Sequence, residues 1–369
     1  MRQDGGDPFG RDPAASTRTR EFSDVTLSSY YGVSADQVHR YAGREAQLAR
    51  VESLVETNGP GAGSRRLHLD TGGGLAVDLH PDRALDLGRV TFAGVPVAWL
   101  SPTGIPGGAH QDSADAGFLK TFGGGLLATC GMDTFGPPST DEGREYGTHG
   151  RFGALPATIE TVRIRRGKIR VVGTIRQATV FGENIEVRRT ISARVGGHTL
   201  RVTDEVTNRG DADQAHMVLY HANFGWPLLS PESTLEIAAD ERIGIDEYAR
   251  AEMAEWGRFH EPTAGIAERV YRHDPPATEA GSWSRARLTN PTLGISAEVR
   301  FDRATLGHLY EWKMLGEGTY VLGLEPSNCP TITGRAAARA AGTLPVLAPG
   351  ETVRHRVEFA FARLGSEAA

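Results

Sequence analysis

Hydrophobic and polar residues alternate along most of this chain. In 293–301, Leu293, Ile295, Ala297, Val299 and Phe301 fall on one side of a period of two, and Gly294, Ser296, Glu298 and Arg300 fall on the other. In 353–361, Val353, Val357, Phe359 and Phe361 share a face with His355, while Arg354, Arg356 and Glu358 point away. Segments of the same kind lie at 66–71, 74–80, 158–165, 168–176, 184–194 and 198–207, punctuated every ten residues or so by Gly, Pro, Asn and Asp. The pattern predicts half-buried antiparallel strands in an all-β sandwich or barrel. Helical signals are few. Ser34 and Gln37 have capping-box spacing ahead of a broken apolar stripe of Val38, Tyr41, Leu48 and Val51, and the Ala-rich stretch 335–341 is closed by Gly342.

Composition narrows the class. With 46 Gly and 20 Pro among 369 residues and a hydrophobic share of 39%, the chain is turn-rich yet able to build a sizeable core. No internal repeat or linker interrupts it, so one large β domain is expected over 26–363, with a disordered tail over 1–25 and a short tail over 364–369. The net charge of −6 comes from mixed signs with no basic block, which argues against nucleic-acid binding. No apolar run reaches membrane-spanning length. The first twenty residues lack the apolar segment of a secretory signal, and two cysteines, Cys130 and Cys329, form no disulfide framework; a cytoplasmic protein with inert, buried thiols is expected.

Four stretches, 117–138, 143–156, 216–230 and 311–335, are rich in Gly, aromatic and polar residues, as binding loops on a β scaffold often are. In the last, the run from Gly318 to Leu324 predicts a buried strand that ends on Glu325, with Pro326 expected to stop the ladder. A carboxylate carried into an apolar interior has its charged form disfavoured and its pKa raised. The contiguous Gly123, Gly124 and Gly125 precede no helix and do not form a phosphate loop. His149 lies between glycines in YGTHGRFG, and His221 follows the apolar Met217, Val218 and Leu219. A metal shared by His216 and His221 is disfavoured, because a separation of five places them on opposite faces of a strand. No HExxH or GxSxG motif occurs. What remains is a general acid/base set of His149, His221 and Glu325, with Arg144, Arg151, Lys313 and Asn223 as polar support and Phe224, Trp226 and Trp312 as stacking surfaces, a combination suited to a carbohydrate.

The segments THGRFGALPA at 148–157, LYHANFGWPLL at 219–229 and WKMLGEGTYVLGLEPSNCP at 312–330, supported by GGGLLATCGMD at 123–133, resemble in kind and order those of the aldose 1-epimerase, or galactose mutarotase-like, superfamily, in particular its less characterised branch. The resemblance spans roughly 45–362 and implies a β-supersandwich with an open cleft for a small-molecule sugar and no cofactor or metal. Carried over by position, Glu325 would take the proton of the anomeric O1 hydroxyl, His221 would protonate the ring oxygen O5, and His149 would assist. Two departures stand out. Tyr220 replaces the usual Asn before the catalytic His, and the Asn-Arg pair that binds substrate in better-known members has no counterpart ahead of His149. Substrate contacts are therefore assigned to Arg151, Asn223, Lys313 and Trp226, with Asp133 and Arg144 beside them, and the three cations raise an acidic or phosphorylated sugar as the substrate. Two other readings use the same residues: an enolising isomerase or β-eliminating lyase acting on a keto-sugar, and a non-catalytic carbohydrate-binding protein.

Overall fold

A computed structural model describes residues 33–34, 36–276 and 283–365. Two antiparallel sheets carry the architecture. The larger, of eleven strands, runs in the order Arg50–Val55, Arg65–Asp70, Leu75–His80, Asp86–Phe92, Leu127–Met132, Met217–Gly225, Thr319–Ser327, His308–Gly316, Arg269–Asp274 and Glu241–Gly244, with Val95–Pro96 paired outside this path to Asp86–Phe92. The smaller, of eight, runs Thr234–Ile237, Trp283–Asn290, Ile295–Asp302, Thr352–Arg363, Thr199–Asn208, Asn184–Arg194, Lys168–Ala178 and Thr158–Arg165. Its strands are the ones whose alternation reads most plainly in the sequence, because one face packs inward and the other meets solvent.

The inward faces of both sheets meet in one apolar core that includes Leu69, Val77, Leu79, Val171, Ile175, Val187, Val202, Phe301 and Phe359. Burying each large apolar side chain contributes about 1.5–3 kcal/mol. Within the strand Asn184–Arg194, one inward position is Arg189, which is fully buried. It donates to Asp204 at 2.9 and 2.7 Å, to Asp86 at 2.6 Å, to Thr129 at 2.9 Å and to the Ala84 carbonyl at 3.0 Å, tying the two sheets together. Tyr220 donates its hydroxyl to Asp204 at 2.7 Å from the facing sheet. Nearby, His216 and His355 approach Nε2 to Nε2 at 2.8 Å, so the inward-facing His355 has a polar partner inside the core.

A second apolar cluster, with Trp99, Phe118, Phe122, Cys130, Leu219 and Tyr310, lies on the outer face of the larger sheet. The central strands are thus covered on both sides, and every residue of Met217–Gly225 is buried. This is why the period of two disappears from the sequence there.

Two local expectations are corrected. The helix anticipated from Ser34 is replaced by two short 3-10 turns, Val38–Arg40 and Glu45–Gln47, without a side-chain cap. Its stripe offers too few anchors: Tyr41 is exposed, Gly43 interrupts it, and Val51 belongs to the first strand. Pro326 does not end its strand, which continues to Ser327. The Ala-rich segment does form a helix, Arg335–Ala340. Among the described residues no helix is long and apolar enough to cross a membrane. The tail expected over 1–25 lies outside the described residues, as do 366–369.

Candidate active site

Three adjacent strands at the centre of the larger sheet build the site. Met217–Gly225 pairs with Thr319–Ser327 at Leu219 with Ser327 and again at Ala222 with Leu324. Continuing that register sets His221 opposite Glu325 and Tyr220 opposite Pro326. The ladder lapses there because Pro326 has no N–H to donate, and the two residues facing across the gap present their side chains to the outer face. His221 Nε2 stands 3.2 Å from Glu325 Oε1, with both side chains almost wholly buried. The contact lies off the line of a hydrogen bond: Glu325 Oε1 and His221 Nδ1 are both without a hydrogen-bonding partner.

Glycine permits this placement. A Cβ at Gly323, two residues back on the same face, would stand 2.3 Å from Glu325 Oε1 and 3.2 Å from the Trp312 Cβ. His149 comes from the loop after Arg144–Tyr146 and holds a left-handed backbone, φ 57°, uncommon for a residue with a side chain. Main-chain bonds from Gly131 N–H to the His149 carbonyl, 3.1 Å, and from His149 N–H to the Gly136 carbonyl, 2.9 Å, fix it. Its ring centroid lies 5.8 Å from that of His221, edge to face.

Aromatic rings wall the niche. Phe122 packs on His221 at 5.0 Å and Trp312 at 5.3 Å, Phe118 packs on His149 at 4.9 Å, and Phe118 and Phe122 stack at 4.9 Å. Trp312 donates its indole N–H to Glu268 at 2.8 Å, bringing a second carboxylate to the rim. Burial pushes the Glu325 carboxyl well above the usual carboxylate range, and Glu268 adds in the same direction. Burial lowers His221 to about 3, with His149 contributing, and lowers His149 to about 4. Burial thus works against both charged forms, favouring an uncharged carboxyl beside an uncharged imidazole over the ion pair. Such a pair can give a proton to one atom of a bound molecule and take one from another.

The remaining residues assigned to the substrate are distributed differently. Arg144 and Arg151 clamp the buried Glu183 at 2.7 and 2.9 Å, and Arg151 also donates to the Ala178 carbonyl at 2.8 Å, so both anchor a hairpin rather than face the niche. Burial alone would raise Glu183, but the bonds from the two arginines hold it at about 2. Lys313 sits one residue from Trp312 and therefore on the opposite face of its strand. Its ammonium donates to the carbonyls of Glu255, Trp256 and Arg258 at 2.8, 2.9 and 3.1 Å. Trp226 is 73% exposed beyond the end of its strand, and Phe224 belongs to the core between the sheets. Asn223 shares the face of His221, but its amide donates to the carbonyls of Gly125 and His221 at 3.0 and 2.9 Å. Asp133 is buried, with its carboxyl raised by burial, and forms no ion pair among the described residues. Cys130 and Cys329 are free and buried, and burial raises both thiols.

Sequence reasoning missed Phe118, Phe122, Trp99 and Glu268. The first two lie in a stretch singled out as rich in Gly, aromatic and polar residues, and their spacing of four was the available signal. Nothing in the sequence ties Glu268 to a site 57 residues further on.

Two facing antiparallel sheets of eleven and eight strands form a β-supersandwich, the fold seen in galactose mutarotase-like structures. Solved structures share this fold: a provisionally assigned aldose 1-epimerase from Klebsiella pneumoniae, 24% identical over 86% of both chains with a TM-score of 0.80, a galactose mutarotase-like protein from Clostridium acetobutylicum, 13% identical over 86% of this chain and all of the other with a TM-score of 0.64, and a galactose 1-epimerase from Lactobacillus acidophilus, 12% identical over 86% of this chain and 99% of the other with a TM-score of 0.55. In sequence, residues 61–361 match the domain of unknown function DUF4432, and the chain belongs to that family. No curated protein matches it.

Proposed function

We propose that this protein is an aldose 1-epimerase-type isomerase that interconverts sugar anomers by proton transfer through Glu325 and His221. The observation that carries the reading is the 3.2 Å approach of His221 Nε2 to Glu325 Oε1, cross-strand, buried and walled by aromatic rings. Opening a hemiacetal requires that O5 gain a proton as O1 loses one, and closure on the other carbonyl face runs the same transfers backwards, so each group acts once as acid and once as base. The cycle needs one proton held between the two groups.

In the roles implied by the resemblance, Glu325 takes the O1 proton and His221 gives one to O5. These roles belong to the charged tautomer, carboxylate with imidazolium. Burial favours the neutral tautomer with the same proton count, and hydrogen bonds from sugar hydroxyls to the carboxylate would draw out the charged one. His149, T-shaped against His221, positions the imidazole or contacts the ring oxygen side of the sugar. Phe118 and Phe122 pack over the two imidazoles, and His221 is 5% exposed. A sugar therefore reaches the pair when the segment carrying those rings swings aside.

Saturation-transfer NMR of anomer exchange over hexoses, pentoses and uronic acids tests the reading. Exchange above the buffer rate, abolished by Glu325→Gln and by His221→Asn, is expected. Exchange at the buffer rate for every sugar, or unchanged rates in both variants, would overturn it, and deuterium appearing at carbon would transfer the same residues to an enolising reaction.

A further inference from the structure

A cavity of about 320 Å³ opens beside the niche, between the turn after Leu75–His80 and the loop 100–106. Its volume lies at the lower end of the range that holds small ligands, about 300–1,000 Å³. Four arginines and three carboxylates line it. The carboxylates are all taken: Asp82 accepts from Arg65 at 2.9 Å, Asp78 from Arg66 at 2.9 Å, and Glu56 pairs with Arg66 at 2.7 Å. Arg83 and Arg89 are left with no carboxylate within ion-pairing distance among the described residues.

Arg83 is the unusual one. It is 9% exposed, and among the described residues the only hydrogen bond of its guanidinium is a long one, 3.4 Å, to the Pro106 carbonyl. The nearby Asp86 has its oxygens committed to Arg189 and Thr129. A buried guanidinium without a counter-ion is costly unless something else supplies the anion. His80, on the same wall, also has a buried Nε2 without a partner. His80, Arg83 and Ile105 are shared with a narrower cleft of about 20 Å³ that runs on to Phe118, Phe122 and Ala128. Ala128 is the cross-strand neighbour of His221, and Phe122 is the ring packed on it. The cavity thus runs up to the rings that cover His221 and stops short of the pair itself, which lines neither opening.

We propose that Arg83, assisted by His80 and Arg89, binds an anionic group, a carboxylate or phosphate, on the sugar whose anomeric centre meets His221 and Glu325, so that the substrate is an acidic or phosphorylated aldose. This rests on the anomerising reading of the site. The cations first assigned to that task, Arg144, Arg151 and Lys313, are occupied elsewhere, and Arg83 replaces them.

The test compares kcat/KM for anomer exchange of neutral hexoses, uronates and hexose 6-phosphates by saturation-transfer NMR, alongside thermal melting of the protein with and without inorganic phosphate or acetate. One anionic class is expected to exceed the neutral sugars by about tenfold or more, and the better class identifies carboxylate or phosphate as the recognised group. Arg83→Gln should lower the ratio of anionic to neutral kcat/KM by about tenfold, and Arg89→Gln, at an exposed position, by a smaller factor. Should Arg83→Gln melt early, Arg83→Lys and Arg89→Gln carry the comparison. Equal kcat/KM for anionic and neutral sugars, or a ratio indifferent to all three variants, overturns the anion site and leaves the epimerase reading standing. Exchange of no sugar, with phosphate or acetate raising the melting temperature of the parent and not of the Arg83 variant, upholds the anion site and overturns the epimerase reading.

Discussion

Gly323→Ala is the most informative single substitution, because it perturbs Glu325 without touching its chemistry. The new methyl would stand 2.3 Å from Glu325 Oε1, where ordinary contact begins near 3.4 Å, so the carboxyl must retreat by roughly 1.1 Å. The backbone cannot yield instead, since the Trp312 Cβ already lies 3.2 Å from the same point. A displacement of about 1 Å at a reacting group costs about a hundredfold in rate, equivalent to ~2.7 kcal/mol of barrier. Overpacking a filled site costs typically 1–3 kcal/mol of stability, and the small end is expected here because the crowded atom is the movable tip of a side chain. kcat for anomer exchange, measured by saturation transfer on the sugar with the highest parental rate, should fall about a hundredfold with KM little changed. Urea unfolding of the same sample separates lost activity from lost fold. A kcat within twofold of the parent would refute the placement of Glu325 as a reacting group.

Two further predictions concern what lies beneath the site. Arg189→Met should cost about 3–5 kcal/mol in urea unfolding, because it leaves Asp204 and Asp86 buried without their cation; a loss below about 1 kcal/mol would mean those carboxylates are compensated otherwise. His80, His149 and His216 are lowered by burial from 6.5 to about 4, and His221 to about 3. The unfolded chain takes up these protons near pH 6.5 and the folded chain does not, so their contribution is fully present above 6.5 and is lost as pH falls towards 4. Each imidazole removes at most about 1.4 kcal/mol per pH unit in that window. The urea midpoint should therefore drop clearly between pH 7 and pH 5, and a constant midpoint would contradict burial of neutral histidines.

The strands of the smaller sheet were legible because each has one wet face. The segment 184–194 shows Ile185, Val187, Ile191 and Ala193 on a period of two, and it is a strand with those bounds. The chain around His221 and Glu325 was legible only as an apolar run, since Met217–Gly225 and Thr319–Ser327 are covered on both faces and carry no alternation. The polar residues near the motifs misled for a related reason. Proximity in sequence placed Lys313 beside Trp312, but neighbours in a strand face opposite ways, and Arg144 and Arg151 found a buried carboxylate 39 and 32 residues away.

By itself the sequence determined the class of fold, through the alternation of half-buried antiparallel strands, and nominated candidate groups for proton transfer. Tertiary structure alone decided which of those groups meet. Cross-strand register set His221 against Glu325 from positions 104 residues apart, and burial, a property of the folded whole, disfavours the charged form of each. It also left Arg83 without an ion pair among the described residues, because a charge finds or misses its counter-ion through distances that no linear spacing records.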